Sequence, residues 1–189
     1  MSLTLRGRTV TLRPFRIHEV ERLEEVWSRA PVDGVPWHGL PDRERIQERV
    51  AVSGTWSDDG SAGLWLAIEA AGELVGEIQA RSPRGGLPPG VFEIGVELYE
   101  PRDRGRGLGT AAVAVLTGYL FREEGAHRVQ ISTDVGNAAM RRVAERLGFG
   151  FEGVLRGFMP TSSGPRDHAM YGMTRSDWEN AKDRWIRTS

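Results

Sequence analysis

A glycine-rich turn, Arg104-Gly105-Arg106-Gly107-Leu108-Gly109, lies between a strand pattern and a helix pattern, and this junction limits the folds open to the chain. Apolar residues alternate with others from Phe92 to Leu98, which indicates a strand. After the turn, apolar residues recur at the spacing of an amphipathic helix from Ala112 to Leu120. The first amides of a helix have no internal acceptor and point outward with the positive end of the helix dipole. Because Arg104 and Arg106 add positive charge, the turn predicts a site for phosphate or pyrophosphate.

Three alternative interpretations of the glycine-rich turn have to be compared with a phosphate site of this kind. A nucleotide-binding P-loop is excluded because the turn lacks the lysine of Gly-Lys-Ser or Gly-Lys-Thr. Gly107, Gly109 and Ala112 fit the G-x-G-x-x-A form of a dinucleotide-binding fingerprint, with Asp134 as the ribose ligand. That fold opens with its motif, however, whereas here about a hundred residues and several antiparallel strands precede it. An ordinary glycine-rich turn with solvated arginines is the remaining alternative.

The other patterns predict an α+β fold around a mixed sheet. The predicted elements are a strand near Val10–Arg13, helices over Val20–Ala30 and Asp42–Val52, a hairpin turning at Ala71-Gly72, the strand Phe92–Tyr99, the helix after the turn, a strand near Val129, a helix from Asn137 to Leu147, two closing strands and a helix over Ser176–Trp185.

Composition narrows the classes of function. A length of 189 residues predicts a single domain that spans residues 1–189. The net charge of −1 gives no reason to expect a nucleic-acid or membrane partner. The absence of cysteine excludes disulfides, thiolate metal sites and a cysteine nucleophile. The histidines show no metal-ligand spacing, so we expect no metal. With no apolar run near about 18 residues and no signal-peptide pattern, we expect a cytoplasmic location.

Arg104-x-x-Gly107-x-Gly109 matches the Q/R-x-x-G-x-G/A signature of the GNAT superfamily, the acetyl-CoA-dependent N-acetyltransferases. The chain resembles this family over nearly its whole length. The other matching segments are Leu12-Arg13-Pro14, Phe92-Glu93-Ile94-Gly95, Asn137, Arg146-Leu147-Gly148-Phe149, Glu152-Gly153 and Met173–Trp178. The first and last of these resemble the branch that contains the ribosomal-protein N-terminal acetyltransferases.

The resemblance implies a mixed, mostly antiparallel seven-stranded sheet flanked by helices, with a central splayed pair of parallel strands. The pantetheine arm of acetyl-CoA would lie in the gap between that pair, against backbone groups of Leu98 and Tyr99. The pyrophosphate would bind the amides of Arg104, Gly105, Arg106, Gly107, Leu108, Gly109 and Thr110. Asn137 would contact the arm, although capping the following helix is an equally good role.

The resemblance also suggests how protons are moved. Glu93 and Glu97 share a strand face, and either is a candidate for the base that deprotonates the acceptor; both could instead be solvated or paired with arginine. The tyrosine and serine that other members use as acids are replaced by Ala144 and Met140. Ser132, Tyr99 or water remain as substitutes.

The acceptor implied by the resemblance is a primary amine: a protein N-terminus, a polyamine, or an amine-bearing antibiotic or metabolite. Trp37 and His38 lie in a loop that often lines the acceptor site in this family, although packing into the core is the simpler role for the tryptophan. A homodimer is also expected by resemblance. The alternative function is a catalytically weak acyl-CoA-binding module, which the missing acid residues keep open.

Overall fold

The computed structural model describes residues 2–29, 42–56, 63–82 and 86–185. An eight-stranded sheet forms its centre, with the spatial order β1-β2-β3-β4-β5-β6-β8-β7. In chain order, the strands are β1 Leu5–Arg6, β2 Thr11–Arg13, β3 Gly63–Ala70, β4 Glu73–Arg81, β5 Val91–Leu98, β6 Arg128–Asp134, β7 Gly150–Met159 and β8 Arg166–Thr174. The predicted seven strands were one too few, since the two-residue β1 adds an eighth.

In the part of the chain that the structure describes, five α-helices cover the two faces of this sheet. They are α1 Val20–Ser28, α2 Arg43–Val52, α3 Leu108–Arg122, α4 Ala138–Leu147 and α5 Arg175–Trp185. Apolar residues of α1 and α2 pack with Trp65 and Ala67 of β3 on one face. Apolar residues of α3, α4 and α5 pack with the alternate residues of the strands, such as Phe92 and Ile131, on the other face. This division follows from strand geometry, because successive side chains point to opposite sides of a sheet.

Two of the helices begin at side chains that satisfy their first amides. The Asp42 carboxylate accepts a hydrogen bond from the Arg45 amide at 2.9 Å, and α2 begins at the next residue. The Asn137 Oδ1 atom accepts one from the Met140 amide at 3.1 Å at the start of α4. Such caps satisfy amides that have no partner within the helix.

β5 and β6 are the one parallel pair in the sheet of the described residues, and they separate part of the way along. Their pairing runs from Val91 opposite Arg128 to Glu93 opposite Gln130. Both strands continue beyond that point, β5 to Leu98 and β6 to Asp134, without further pairing to each other. A gap therefore opens in the sheet towards the end at which α3 begins.

Candidate active site

The glycine turn and the start of α3 form a cradle of free amides. Gly105 and Gly107 have φ angles of +74° and +81°, and a β-carbon added to either would meet nothing within 4 Å. The first hydrogen bond of α3 runs from the Ala111 amide to the Gly107 carbonyl at 2.9 Å. The preceding helical amides, from Leu108 to Thr110, therefore have no acceptor within the helix. An anion of pyrophosphate size can approach this backbone closely, since glycine leaves the space open.

The two arginines of the turn are held differently. Arg106 forms an ion pair with the buried Asp103, with 3.1 Å between Nη1 and Oδ1. The backbone amide of Arg104 donates to the Pro101 carbonyl at 3.1 Å, and its guanidinium reaches the Leu98 carbonyl at 3.4 Å. Because the Arg104 amide is already engaged, the amides open to an anion begin after it, and Arg104 contributes its exposed side chain.

The side of β5 that faces the gap carries the backbone groups open to an extended ligand. The Tyr99 amide donates to the Val75 carbonyl of β4 at 3.0 Å, so it points away from the gap. Successive backbone groups of a strand point to opposite sides, which directs those of Val96 and Leu98 towards β6. An extended arm can pair with these groups as an added strand would. Of the two predicted arm contacts, the amide of Leu98 fits this geometry, while the Leu98 carbonyl accepts from Arg104 and the amide of Tyr99 is engaged with β4.

Glu93 lies at the point where the gap begins and is almost fully buried, with 8% of its surface exposed. Its carboxylate forms an ion pair with Arg81 of β4. It also accepts hydrogen bonds from Gln130 Nε2 at 2.8 Å and from Ser132 Oγ at 3.2 Å, both on β6. Glu93 thus ties three strands together where β5 and β6 separate.

Glu97 lies further along β5, beside the open part of the gap. Its carboxylate has no hydrogen bond or ion pair with any of the described residues. Its side chain is exposed to solvent, and the protein atoms around it partly desolvate its charge. This desolvation raises the pKa of Glu97, the neighbouring Glu77 adds to the rise, and Arg104 opposes it.

Glu77 is a site residue that the sequence did not indicate. It pairs directly with Glu97 across β4 and β5, and its Oε2 atom accepts a hydrogen bond from Tyr99 Oη at 2.7 Å. Burial raises the pKa of Glu77, although Tyr99 and Arg49 act in the opposite direction. Its alternating position on β4 is visible in the sequence, but its pairing with Glu97 depends on the register between the strands.

The two hydroxyls considered as acids are both bound to carboxylates. Ser132 Oγ donates to Glu93, and Tyr99 Oη donates to Glu77. Burial, followed by the negative charge of Glu77, raises the pKa of Tyr99 well above its usual value of 10.0. Tyr99 is therefore a weaker proton donor here than a free phenol.

His168 lies on β8, which is separated from β5 by the gap and by β6. It pairs with Asp134 between β8 and β6, and only 8% of it is exposed. Its Nδ1 atom is buried and has no hydrogen-bond partner among the described residues. Burial lowers the pKa of His168, which favours the neutral ring.

The structure describes some of the remaining positions that the sequence analysis discussed, but not all of them. Asn137 caps α4, as one of its two proposed roles required, and its side-chain NH₂ is not used by that cap. Ala144 is buried and Met140 is partly buried at the positions where other members carry acids. Trp37 and His38 lie outside the described residues. Among those described, no group of three or more acidic or histidine side chains could hold a metal ion, and no helix is long and apolar enough to span a membrane.

A splayed parallel strand pair next to a glycine turn at a helix N-terminus defines the class of acyl-CoA-dependent acyltransferase domains. A family model described as an acetyltransferase (GNAT) domain matches residues 9–150 of this chain. The chain therefore belongs to the GNAT acetyltransferase family, whose cofactor is acetyl-CoA. The structure also confirms the predicted mixed α+β fold with its central parallel pair.

Curated relatives share shorter segments. The putative ribosomal N-acetyltransferase YdaF of Bacillus subtilis is 37% identical over 78 residues, which is 41% of this chain and 43% of the relative. A mycothiol acetyltransferase of Pseudarthrobacter chlorophenolicus is 31% identical over 141 residues, or 74% of this chain and 42% of the relative. The chain thus spans less than half the length of these relatives.

Solved structures match over almost the whole chain. A probable acetyltransferase superposes with a TM-score of 0.76 at 26% identity, covering 93% of this chain and 99% of the other. Mycobacterium smegmatis RimJ in complex with CoA-disulfide superposes with a TM-score of 0.77, covering 98% of this chain and 92% of RimJ. At 22% identity, the second likeness is one of fold.

Proposed function

We propose that this chain transfers the acetyl group of acetyl-CoA directly to a primary amine while both substrates are bound. The observation that carries this proposal is the position of Glu97, an unpartnered carboxylate with a raised pKa on the strand that lines the gap. An alkyl ammonium titrates near pH ~10 and must lose a proton before it can attack a thioester. A carboxylate whose pKa is shifted towards neutrality is better matched to that transfer.

The structure supports Glu97 rather than Glu93 as the direct base. Four residues along a strand correspond to about 13 Å, so the two carboxylates cannot both contact one attacking nitrogen. Glu93 is enclosed by Arg81, Gln130 and Ser132, which occupy its lone pairs. We therefore assign Glu93 a positioning role: it fixes the point at which β5 separates from β6, and so sets the width of the gap.

The rest of the reaction needs only the backbone and water. An amide of β5 facing the gap, at Val96 or Leu98, can donate to the thioester carbonyl as negative charge develops on its oxygen. The hydroxyls of Ser132 and Tyr99 are bound to carboxylates. We therefore propose that the coenzyme A thiolate leaves as the anion and takes its proton from solvent, which a thiol of pKa about 8.5 permits.

The acceptor is a protein N-terminus or a small amine-bearing molecule. The relatives do not distinguish the two, because their names include a ribosomal N-acetyltransferase and mycothiol acetyltransferases. The polar face around Glu97 suits any acceptor that presents a primary amine. The catalytically weak acyl-CoA-binding module predicted as the alternative differs in a single respect: it would bind acetyl-CoA without turnover.

The deciding experiment measures thiol release from acetyl-CoA with a panel of peptide N-termini, polyamines and amino sugars. Products are identified by mass spectrometry, and the best acceptor is then used with Glu97→Gln, Glu93→Gln and Glu73→Gln. Glu73 is an exposed carboxylate at the β3–β4 turn and serves as the matched control.

We expect Glu97→Gln to lower kcat/KM about 100-fold or more, as loss of a general base does. It should also abolish the acidic limb of the pH profile, which is the fall of kcat/KM at low pH as the base becomes protonated. Glu93→Gln should keep the acidic limb while raising the KM for acetyl-CoA, and Glu73→Gln should match the wild type. Tight acetyl-CoA binding without turnover of any amine would instead support the binding module. An acidic limb unchanged in Glu97→Gln would remove Glu97 from the role of base.

A further inference from the structure

Glu77 and Glu97 form a pair of opposed carboxylates on the face of the sheet that carries α1 and α2. They are partners in the antiparallel register of β4 and β5. Side chains directly opposite in such a pair have β-carbons about 4.5–5.5 Å apart and point to the same face. Two like charges at this separation repel each other, so the arrangement favours a proton or a cation between them.

One side of the pair is fixed by an internal hydrogen bond, and a second donor beside it has no partner. Tyr99 Oη holds the Oε2 atom of Glu77 at 2.7 Å. The indole of Trp65 is 6% exposed, and its buried Nε1–H has no hydrogen-bond acceptor among the described residues. The indoles of Trp65 and Trp27 both act on Glu77 as donors and lower its pKa, although the Trp65 N–H is outside hydrogen-bonding geometry. The surroundings thus orient Glu77 without neutralising it.

Two cations face the pair, but neither forms an ion pair with it. The exposed guanidinium of Arg49 lies over the Trp65 ring, 4.2 Å from its centroid, and lowers the pKa of Glu77. Arg104 acts in the same way on Glu97. The pKa of each carboxylate is nevertheless raised, chiefly by desolvation. A bound cation would therefore stabilise the two carboxylates, because the described residues do not neutralise their charge.

We propose that Glu77 and Glu97 together bind the ammonium group of the acceptor, with Glu97 then removing its proton. This inference rests on the proposed function and deepens it. An N–H bond of R–NH₃⁺ breaks and an O–H bond forms on Glu97. The neutral amine, still hydrogen-bonded to Glu77, then attacks the thioester: a C–N bond forms, the C–S bond breaks, and the second proton of the nitrogen passes to solvent, from which the departing thiolate is protonated. The acceptor class is a protonated aliphatic amine, and an arylamine, which is neutral near pH 7, gains nothing from the second carboxylate.

The test compares wild type, Glu77→Gln and Glu73→Gln with an alkyl amine and an arylamine as acceptors. Both glutamates lie on β4, so Glu73→Gln removes the same charge from the same strand outside the site. The kinetic measurements are KM, kcat and the pH dependence of kcat/KM. Acetyl-CoA affinity is measured by calorimetry to show that the cofactor site is intact.

Glu77→Gln should raise the KM for the alkyl amine about tenfold to a hundredfold, as loss of a hydrogen bond to a charged group does, with a smaller change in kcat. Because Glu77 raises the pKa of Glu97, its removal should move the acidic limb of kcat/KM to lower pH. The arylamine should show no change in KM. Glu77→Asp, which keeps the charge, should restore part of the alkyl-amine affinity.

If Glu77→Gln fails to fold, the inference is tested by measuring the pH dependence of KM in the wild type alone. Its KM for the alkyl amine should fall as pH rises through the titration of the pair, while its KM for the arylamine stays constant. Equal KM values and equal acidic limbs in wild type and Glu77→Gln, or a constant alkyl-amine KM in that pH range, would overturn this inference alone. A wild type that binds acetyl-CoA but acetylates no amine would overturn the proposed function instead.

Discussion

Gly76 lies so close to the backbone of Glu97 that a β-carbon at residue 76 would stand 2.1 Å from the Glu97 carbonyl oxygen. The register between β3 and β4 shifts nearby, where Ile68 pairs with Gly76 but Glu69 pairs with Leu74. Gly76, which follows the extra residue in β4, allows the backbones of β4 and β5 to approach each other beside the opposed carboxylates. The placement of Glu77 against Glu97 therefore depends on a residue without a side chain.

We expect Gly76→Ala to destabilise the protein by about 2 kcal/mol or more, because the added methyl meets backbone atoms that move only if β4 and β5 separate. Acetyl transfer should fall with it, since the register of Glu77 and Glu97 would be lost. Urea unfolding and thiol-release assays measure the two effects. The control is Gly150→Ala in β7, where the new β-carbon would lie 3.7 Å from the Gly172 carbonyl oxygen, an ordinary van der Waals contact. Equal stability of the two variants would contradict the prediction.

The cofactor cradle gives a second prediction with an internal control. Gly107→Ala and Gly125→Ala both place a side chain at positive φ in open space, so each should cost about 1–2 kcal/mol of stability from backbone strain. Only Gly107 caps the helix whose free amides are predicted to bind the pyrophosphate. Calorimetry should show coenzyme A binding weakened about tenfold or more in Gly107→Ala, through lost phosphate contacts, and unchanged in Gly125→Ala. Similar affinities would place the pyrophosphate elsewhere.

The sequence alone predicted those elements of the fold that depend on residues close together along the chain. The alternation of Phe92 to Leu98, the glycine turn and the spacing of apolar residues in α3 each depend on neighbours along the chain. Capping was one of the two roles predicted for Asn137, because capping requires only the residues that follow it. The parallel pairing of β5 with β6 came from resemblance and is confirmed by the structure.

What the sequence could not predict depends on register and on competition for hydrogen bonds. Glu77 lies twenty residues before Glu97, and only the register between β4 and β5 decides that the two are opposed. Glu93 and Glu97 were both candidates for the base, but Gln130 and Ser132 reach Glu93 from β6. The Arg104 amide was expected at the pyrophosphate, yet the short 3-10 helix Pro101–Asp103 before it engages that amide.

A third prediction concerns stability away from the site. Arg13 and Glu19 form a buried pair with two hydrogen bonds, at 2.6 and 3.0 Å, and Arg13 Nε also donates to Glu69 at 2.8 Å. Burial opposes the charge of Glu19, but hydrogen bonds from Arg13 and the Arg16 amide outweigh it and lower its pKa. This contribution to stability is present above the ordinary value of 4.5 and is lost as pH falls through the lowered one.

Arg13→Met should therefore reduce the free energy of unfolding by about 3–5 kcal/mol near pH 7, because Glu19 is left charged and unpaired in the interior. Since burial then raises the pKa of Glu19, the deficit should shrink as pH falls and the carboxyl is protonated. Urea unfolding between pH 4 and 7 measures both effects. The control is Arg13→Met combined with Glu19→Leu, which should recover most of the loss. A deficit independent of pH would show that packing of the arginine stem, and not its charge, stabilises this region.

Asn137 allows its two roles to be separated, because the cap uses Oδ1 while the proposed contact with the pantetheine arm uses the NH₂ group. Asn137→Ala should cost about 1 kcal/mol of stability through loss of the cap, and Asn137→Asp should keep that stability because a carboxylate oxygen also caps a helix. If the NH₂ group binds the arm, calorimetry will show coenzyme A affinity lowered in both variants. Wild-type affinity in Asn137→Asp would leave Asn137 with the cap alone.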